Sequence, residues 1–152
     1  EADEPSTDLQ RLRAEISGGG SDGAGPVQSA DENLDAVLEA FLGEESFGFT
    51  EETVKGDLGE ILLTLVAGRS SETNGKRLME DLSRVFGADL SPGTVYPKLH
   101  DFEEAGLLER HDLVRTKEYQ LEDPDACRER VSEEMRQHLV LGLFYRRMLD
   151  EL

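Results

Sequence analysis

Apolar residues fall at three- and four-residue spacing in several blocks of this chain and alternate in only one. That contrast predicts a mainly α-helical protein with one small sheet. Leu9, Leu12 and Ile16 form a short first block, followed by SGGGSDGAGPVQS, a run whose composition makes a flexible linker. From Asp31 to Leu42, the residues Leu34, Val37, Leu38, Phe41 and Leu42 share one side of a helix that Gly43 can stop. This helix is expected to pack on the main domain. Asp57 is placed to cap the next helix, with Glu60 three residues on to reach back. Ile61, Leu62, Leu65 and Val66 would be its buried side, and Gly68 its end. A further helix is expected from about Asn74 to Phe86, with Leu78, Leu82, Val85 and Phe86 inward and Gly87 beyond it.

The stretch SPGTVYPKLHDFEEAGLLER, Ser91 to Arg110, supplies another helix. Ser91 is a favourable N-cap and Pro92 suits the first helical position. Val95, Leu99 and Phe102 recur on one face, and Gly106 followed by Leu107 is a helix-ending pair. Pro97 lies inside this helix, where it cannot donate to the carbonyl of Gly93. That partner lies in the first turn, where the disturbance costs least. Two short strands should follow, Leu107–Arg110 and Lys117–Leu121, the second with clear alternation. Pro124 opens a long last helix to about Asp150. On it Val131, Met135, His138, Gly142, Tyr145, Leu149 and Leu152 step by four and three, and Leu139 and Leu143 widen the seam. A second subunit is the expected cover for that seam.

Three helices, a two-stranded hairpin and a final helix is the order of a winged helix-turn-helix domain with a C-terminal dimerisation helix. The expected organisation is an acidic arm and Gly/Ser linker over residues 1–30, an accessory helix and connection over 31–56, the winged domain over 57–123 and the dimerisation helix over 124–152. SPGTVYPKLHDFEEAGLLE resembles the recognition-helix signature of the PadR-type transcriptional regulators, with Ser91-Pro92-Gly93-Thr94, Tyr96-Pro97 and Gly106-Leu107 in register. ILLTLVAG resembles that family's first helix, and RTKEYQL its second wing strand. The sequence departs from the pattern at Asn74-Gly75-Lys76, where only the glycine matches, and in the short wing tip HDLVR. The resemblance implies a dimeric DNA-binding protein. The pairing of an acidic arm with such a domain is similar to the haloarchaeal activators of gas-vesicle genes.

Charge adds a second dimension. The 152 residues carry 34 acidic and 16 basic side chains, a formal net charge of -18. Residues 1–60 hold 16 acids and 3 bases, against 18 and 13 in residues 61–152, so the second segment is the better partner-binding unit. Because acids also flank the arginines of the later helices, the excess reads as adaptation to molar salt, where charge repulsion is screened within about 3 Å. The acidic arm is a candidate contact for a regulatory or transcription-machinery protein. No run of eighteen apolar residues exists, so no membrane helix is expected. The single Cys127 allows no internal disulfide and suits a reducing cytoplasm.

DNA contact needs donors for phosphates and polar groups that reach base edges. With Val95, Leu99 and Phe102 in the core, Ser91, Thr94, Tyr96, Lys98 and His100 are the candidates on the recognition helix. Arg115 and Lys117 on the wing are candidate phosphate clamps, and Lys76 and Arg77 candidate backbone contacts. His100, His111 and His138 with Cys127 match no compact metal site, and no cofactor is expected. The absence of a phosphate-binding glycine loop or nucleophile elbow argues against an enzyme. The competing reading is a winged-helix module that binds protein and has no sequence-specific DNA partner.

Overall fold

The computed structural model describes residues 30–43 and 46–152. The expected arm and linker of residues 1–29, including Leu9, Leu12 and Ile16, lie outside the described residues. The chain divides into two units, the second running from Gly48 to Leu152. In the first unit, α1 spans Ala30–Leu42 as the periodicity predicts and has no buried residue.

The second unit begins with a helix absent from the sequence reading, α2 (Glu51–Gly56), in what was expected to be a connection. The Thr50 hydroxyl accepts from the Thr53 amide at 3.2 Å, and Val54 is fully buried. Next come α3 (Leu58–Gly68), α4 (Gly75–Phe86), α5 (Pro92–Glu104), β1 (Leu108–Asp112), β2 (Lys117–Leu121) and α6 (Pro124–Met148), which runs into a short 3-10 turn. The strands form one antiparallel hairpin, with Leu108 opposite Leu121 and Asp112 opposite Lys117.

Local chemistry explains most boundaries. The Asn74 side chain caps α4 by accepting from the Arg77 amide at 2.9 Å. At its other end Gly87 adopts a left-handed φ of 64°, and the Ala88 amide returns to the Leu82 carbonyl. Gly106, at φ 74°, closes α5 the same way, with the Leu107 amide donating to Phe102 at 2.9 Å. Asp123 caps α6 through the Ala126 amide.

The expected capping box at Asp57 and Glu60 does not form. Asp57 makes no side-chain cap. Its carboxylate meets His138 at 2.8 Å, while Glu60 meets Arg130 at 3.0 Å. Both acids found partners on α6 that local spacing could not reveal.

The core gathers Leu58, Leu62, Leu63, Leu65 and Val66 of α3 with Leu78 and Leu82 of α4, and Val95, Leu99 and Phe102 of α5. Leu58 and Leu63 join the expected inward set, whereas Ile61 is only half-buried. Each fully buried Leu contributes about 2 kcal/mol of burial free energy. Leu108 and Tyr119 seal the sheet side, and Cys127 is buried at the start of α6. Its thiol lies 3.5 Å from the Leu107 carbonyl, and burial pushes its pKa up, which suits a packing role rather than a reactive one. Asp81 is the buried acid of the core edge, bound by Arg69 from the end of α3 and by Arg84.

Only Cys127 of α6 is buried. The first half of the helix lies on its own domain, where Val131, Met135 and His138 line a groove with Val54, Ile61 and Phe86. Beyond Leu139 the helix leaves Val140, Leu141, Phe144, Tyr145 and Leu149 exposed at 46–66%. No helix among the described residues is long and apolar enough to cross a membrane.

Candidate nucleic-acid interface

Three parts of the chain meet around Gly75: the start of α4, the first half of α5 and the hairpin. The Tyr119 amide of β2 donates to the Thr73 carbonyl at 2.8 Å, and Asn74 bridges to Glu118. Glu72, at φ 53°, turns the chain into that pairing. On the other side, the Tyr96 ring lies directly on Gly75. A Cβ there would sit 2.6 Å from Tyr96 Cε1 and collide with the hydroxyl. Gly75 has no positive φ, so close approach alone explains the glycine. Tyr96 is therefore a helix–helix contact with its edge at the surface, 42% exposed.

That contact gives a prediction with an unusual sign. At an exposed helix position Gly→Ala is normally favourable by about 0.5–1 kcal/mol. Here Gly75→Ala should instead destabilise the domain by about 1 kcal/mol, the cost of displacing a packed side chain. In a Tyr96→Ala background the same change should become neutral or stabilising. Urea unfolding of the four proteins measures this coupling, and additive effects would refute the contact.

Cations of the domain differ in whether a carboxylate holds them. Arg69, Arg84, Arg110 and Arg130 all hold carboxylates of the domain. Arg77 is bound to Glu80 at 2.9 Å and Glu72 at 3.4 Å, and the Glu80 hydrogen bond pushes its pKa further up. By contrast, no ion pair engages Lys76, Lys98, Arg115 or Lys117 among the described residues. Lys76 follows Gly75 at the start of α4, Lys117 opens β2 and Arg115 lies in the turn before it. Three of these four free cations thus come from the two elements joined at Thr73–Asn74 and Glu118–Tyr119.

Other expected site residues are placed differently. Lys98 is half-buried on the α3 side of α5, and a Cβ on Gly59 would lie 3.6 Å from its Cδ. Its stem covers α3, and only its ammonium end can reach outward. His100 faces Glu104 at 3.3 Å and Glu103 at 3.7 Å. Ser91 and Thr94 hydroxyls meet at 3.2 Å across the first turn of α5, and the Ser91 side chain makes no backbone cap. The exposed face of α5 beyond that turn carries Pro97, His100, Asp101 and Glu104, so its later turns repel phosphate.

Among the described residues, Asp57, Glu134 and His138 form the only group able to hold a metal ion; His100, His111 and Cys127 do not join it.

Residues 61–124 match the family model described as the transcriptional regulator PadR-like family. The chain carries a PadR-like domain. The match runs from α3 through the hairpin to the first residue of α6, the same elements that converge around Gly75. The chain is 39% identical over 117 residues to the transcriptional activator GvpE1 of Halobacterium salinarum, covering 76% of this chain and 61% of that protein. It is 42% identical over 93 residues to the transcriptional activator GvpE of Haloferax mediterranei, covering 60% and 47%. A second Halobacterium salinarum protein, GvpE2, is 37% identical over 108 residues, covering 70% and 55%. The chain thus spans about half to three fifths of the curated relatives it matches. These relatives, like the PadR-like family, are regulators of transcription and not enzymes. No solved structure matches the chain.

Proposed function

We propose that this protein is a transcriptional activator of gas-vesicle genes in a salt-loving organism. In this reading it binds double-stranded promoter DNA as a dimer, through the face formed by the start of α4, the first turn of α5 and the wing. The observation that carries the reading is the sorting of the cations. Arg128 and Arg147 on α6 are also without an ion pair among the described residues, but the free cations Lys76, Arg115 and Lys117 belong to two elements joined by backbone pairing. Free cations can release DNA counterions, whereas paired ones must first break an ion pair. The Gly93 amide lies at the N-terminal end of α5, where a phosphate oxygen is favourably held, whereas the Thr94 amide already donates to the Ser91 carbonyl at 3.0 Å. The relatives' names support activation. Residues 1–30 would serve as the acidic contact for the transcription machinery, and the apolar second half of α6 would supply the dimer contact.

Gel-shift titration of a promoter fragment at several salt concentrations tests the assignment. Lys76→Glu and Lys117→Glu should each weaken binding about tenfold at fixed salt. Lys76→Ala and Lys117→Ala should each lower the slope of log K against log salt by about one. Arg77→Ala should change it little, because that guanidinium is already paired. Unchanged binding in both charge reversals would refute the face. Failure of the wild-type protein to select any DNA sequence would favour the protein-binding reading.

A further inference from the structure

Asp57 occupies the capping position of α3, yet its side chain leaves that task undone. It turns to α6, where its Oδ1 lies 2.8 Å from His138 Nε2. Glu134 stands one helical turn before His138, and its Oε1 lies 3.2 Å from the same nitrogen. The ligand atoms of all three residues lie within 4.8 Å of one another. One imidazole N–H cannot point squarely at two oxygens, and two facing carboxylates repel unless a positive charge lies between them. The cluster is built to take up positive charge.

We propose that Asp57, Glu134 and His138 form a binding site for a first-row divalent cation of the Zn²⁺ type, which clasps α6 to the junction between α2 and α3. One imidazole and two carboxylates form a mixed nitrogen–oxygen set suited to Zn²⁺, Co²⁺ or Mn²⁺, whereas Mg²⁺ and Ca²⁺ favour oxygen ligands alone. The carboxylates are pre-positioned, with side chains 15% and 37% exposed, and the half-exposed His138 leaves a route for the ion and a water ligand. The adjoining groove of about 400 Å³ is walled by Phe49, Val54, Ile61, Phe86, Val131 and Met135, and this apolar wall strengthens charge interactions beside it. Arg130, one helical turn before Glu134, is held by Glu60 at 3.0 Å. A dication would join residues 81 positions apart and fix the angle at which α6 leaves the domain. None of this depends on DNA binding.

The full chain, stripped of metal, would be titrated with Co²⁺ near pH 8 in molar KCl, where surface acids are screened. Visible absorption bands should saturate at one Co²⁺ per chain, and Zn²⁺ should displace them while excess Mg²⁺ should not. His138→Ala and Glu134→Gln should each weaken binding at least about tenfold, whereas His100→Ala and His111→Ala should leave it unchanged. Zn²⁺ should raise the melting temperature of the wild type but not of His138→Ala. Circular dichroism shows whether His138→Ala stays folded. If it does not, Glu134→Gln alone decides. Non-saturating uptake, equal uptake by the folded variants, or displacement by Mg²⁺ would overturn the proposal.

Discussion

Asp81→Ala is expected to lower the unfolding free energy by about 2–3 kcal/mol. The Asp81 side chain is only 7% exposed, and both its oxygens lie within 3.0 Å of Arg69 Nη1. Arg84 adds a third contact at 3.0 Å. Arg69 follows the last turn of α3, so this carboxylate fastens α3 to α4. Removing it strands a guanidinium whose side chain is 22% exposed and whose Nε already lacks a partner. Partial rehydration of that charge holds the cost at or just below the bottom of the range of about 3–5 kcal/mol for breaking a buried pair. Arg84→Ala should cost under about 1 kcal/mol, because its side chain is more than half exposed. Chemical unfolding in molar salt separates the two cases, since a buried pair is screened far less than an exposed one. Equal, small losses in both variants would show that Asp81 does not bind the helices together.

The second large effect concerns the last helix. Leu149→Asp, and separately Phe144→Asp, should convert a dimer into monomers, with dissociation constants raised more than about a hundredfold. The expected seam began at Val131, but Val131, Met135 and His138 face the groove of their own domain. Met135 and His138 keep exposed surface beside that groove, but the larger uncovered apolar surface is the second half, where Val140, Leu141, Leu143, Phe144, Tyr145, Met148 and Leu149 are all exposed. These residues cover a wide arc of the helix rather than one narrow stripe, interrupted by Arg146, and an apolar face that wide needs a broad cover. Light scattering should give twice the chain mass of 16.9 kDa for the wild type and that mass for the variants. A wild-type monomer in molar salt would remove the dimer from the proposed function.

Most of the winged fold was legible because its boundaries are written locally. Asn74, Gly87, Ser91-Pro92 and Gly106 each act within four residues, and the structure uses each at a helix end. Val95, Leu99 and Phe102 were equally readable, since helical period alone places them together. Contacts across space were not. Asp57 and His138 are 81 residues apart, and no spacing rule connects them. The same limit applies to Asp81 with Arg69, because an ion pair twelve residues apart appears only once α3 and α4 are packed. Lys98 illustrates a subtler failure. The period correctly kept it out of the core, but which flank of α5 another helix covers depends on the crossing at Gly59. The short α2 was missed because six residues give too little periodicity, although Thr50 before two acids was a visible start signal.

The backbone link between Thr73 and Tyr119 has a mechanical consequence. A two-stranded ribbon attached only at its base would swing, and a groove-binding surface built on it would need to be set each time DNA arrives. Here the second strand is also bonded to the segment leading into α4, while the Glu122 amide returns to Leu107 at the foot of the hairpin. Tyr96 braces the same segment from α5. The span between α5 and the hairpin is thereby set during folding, so in the proposed DNA-binding role little conformational entropy would be left to lose on contact with a duplex.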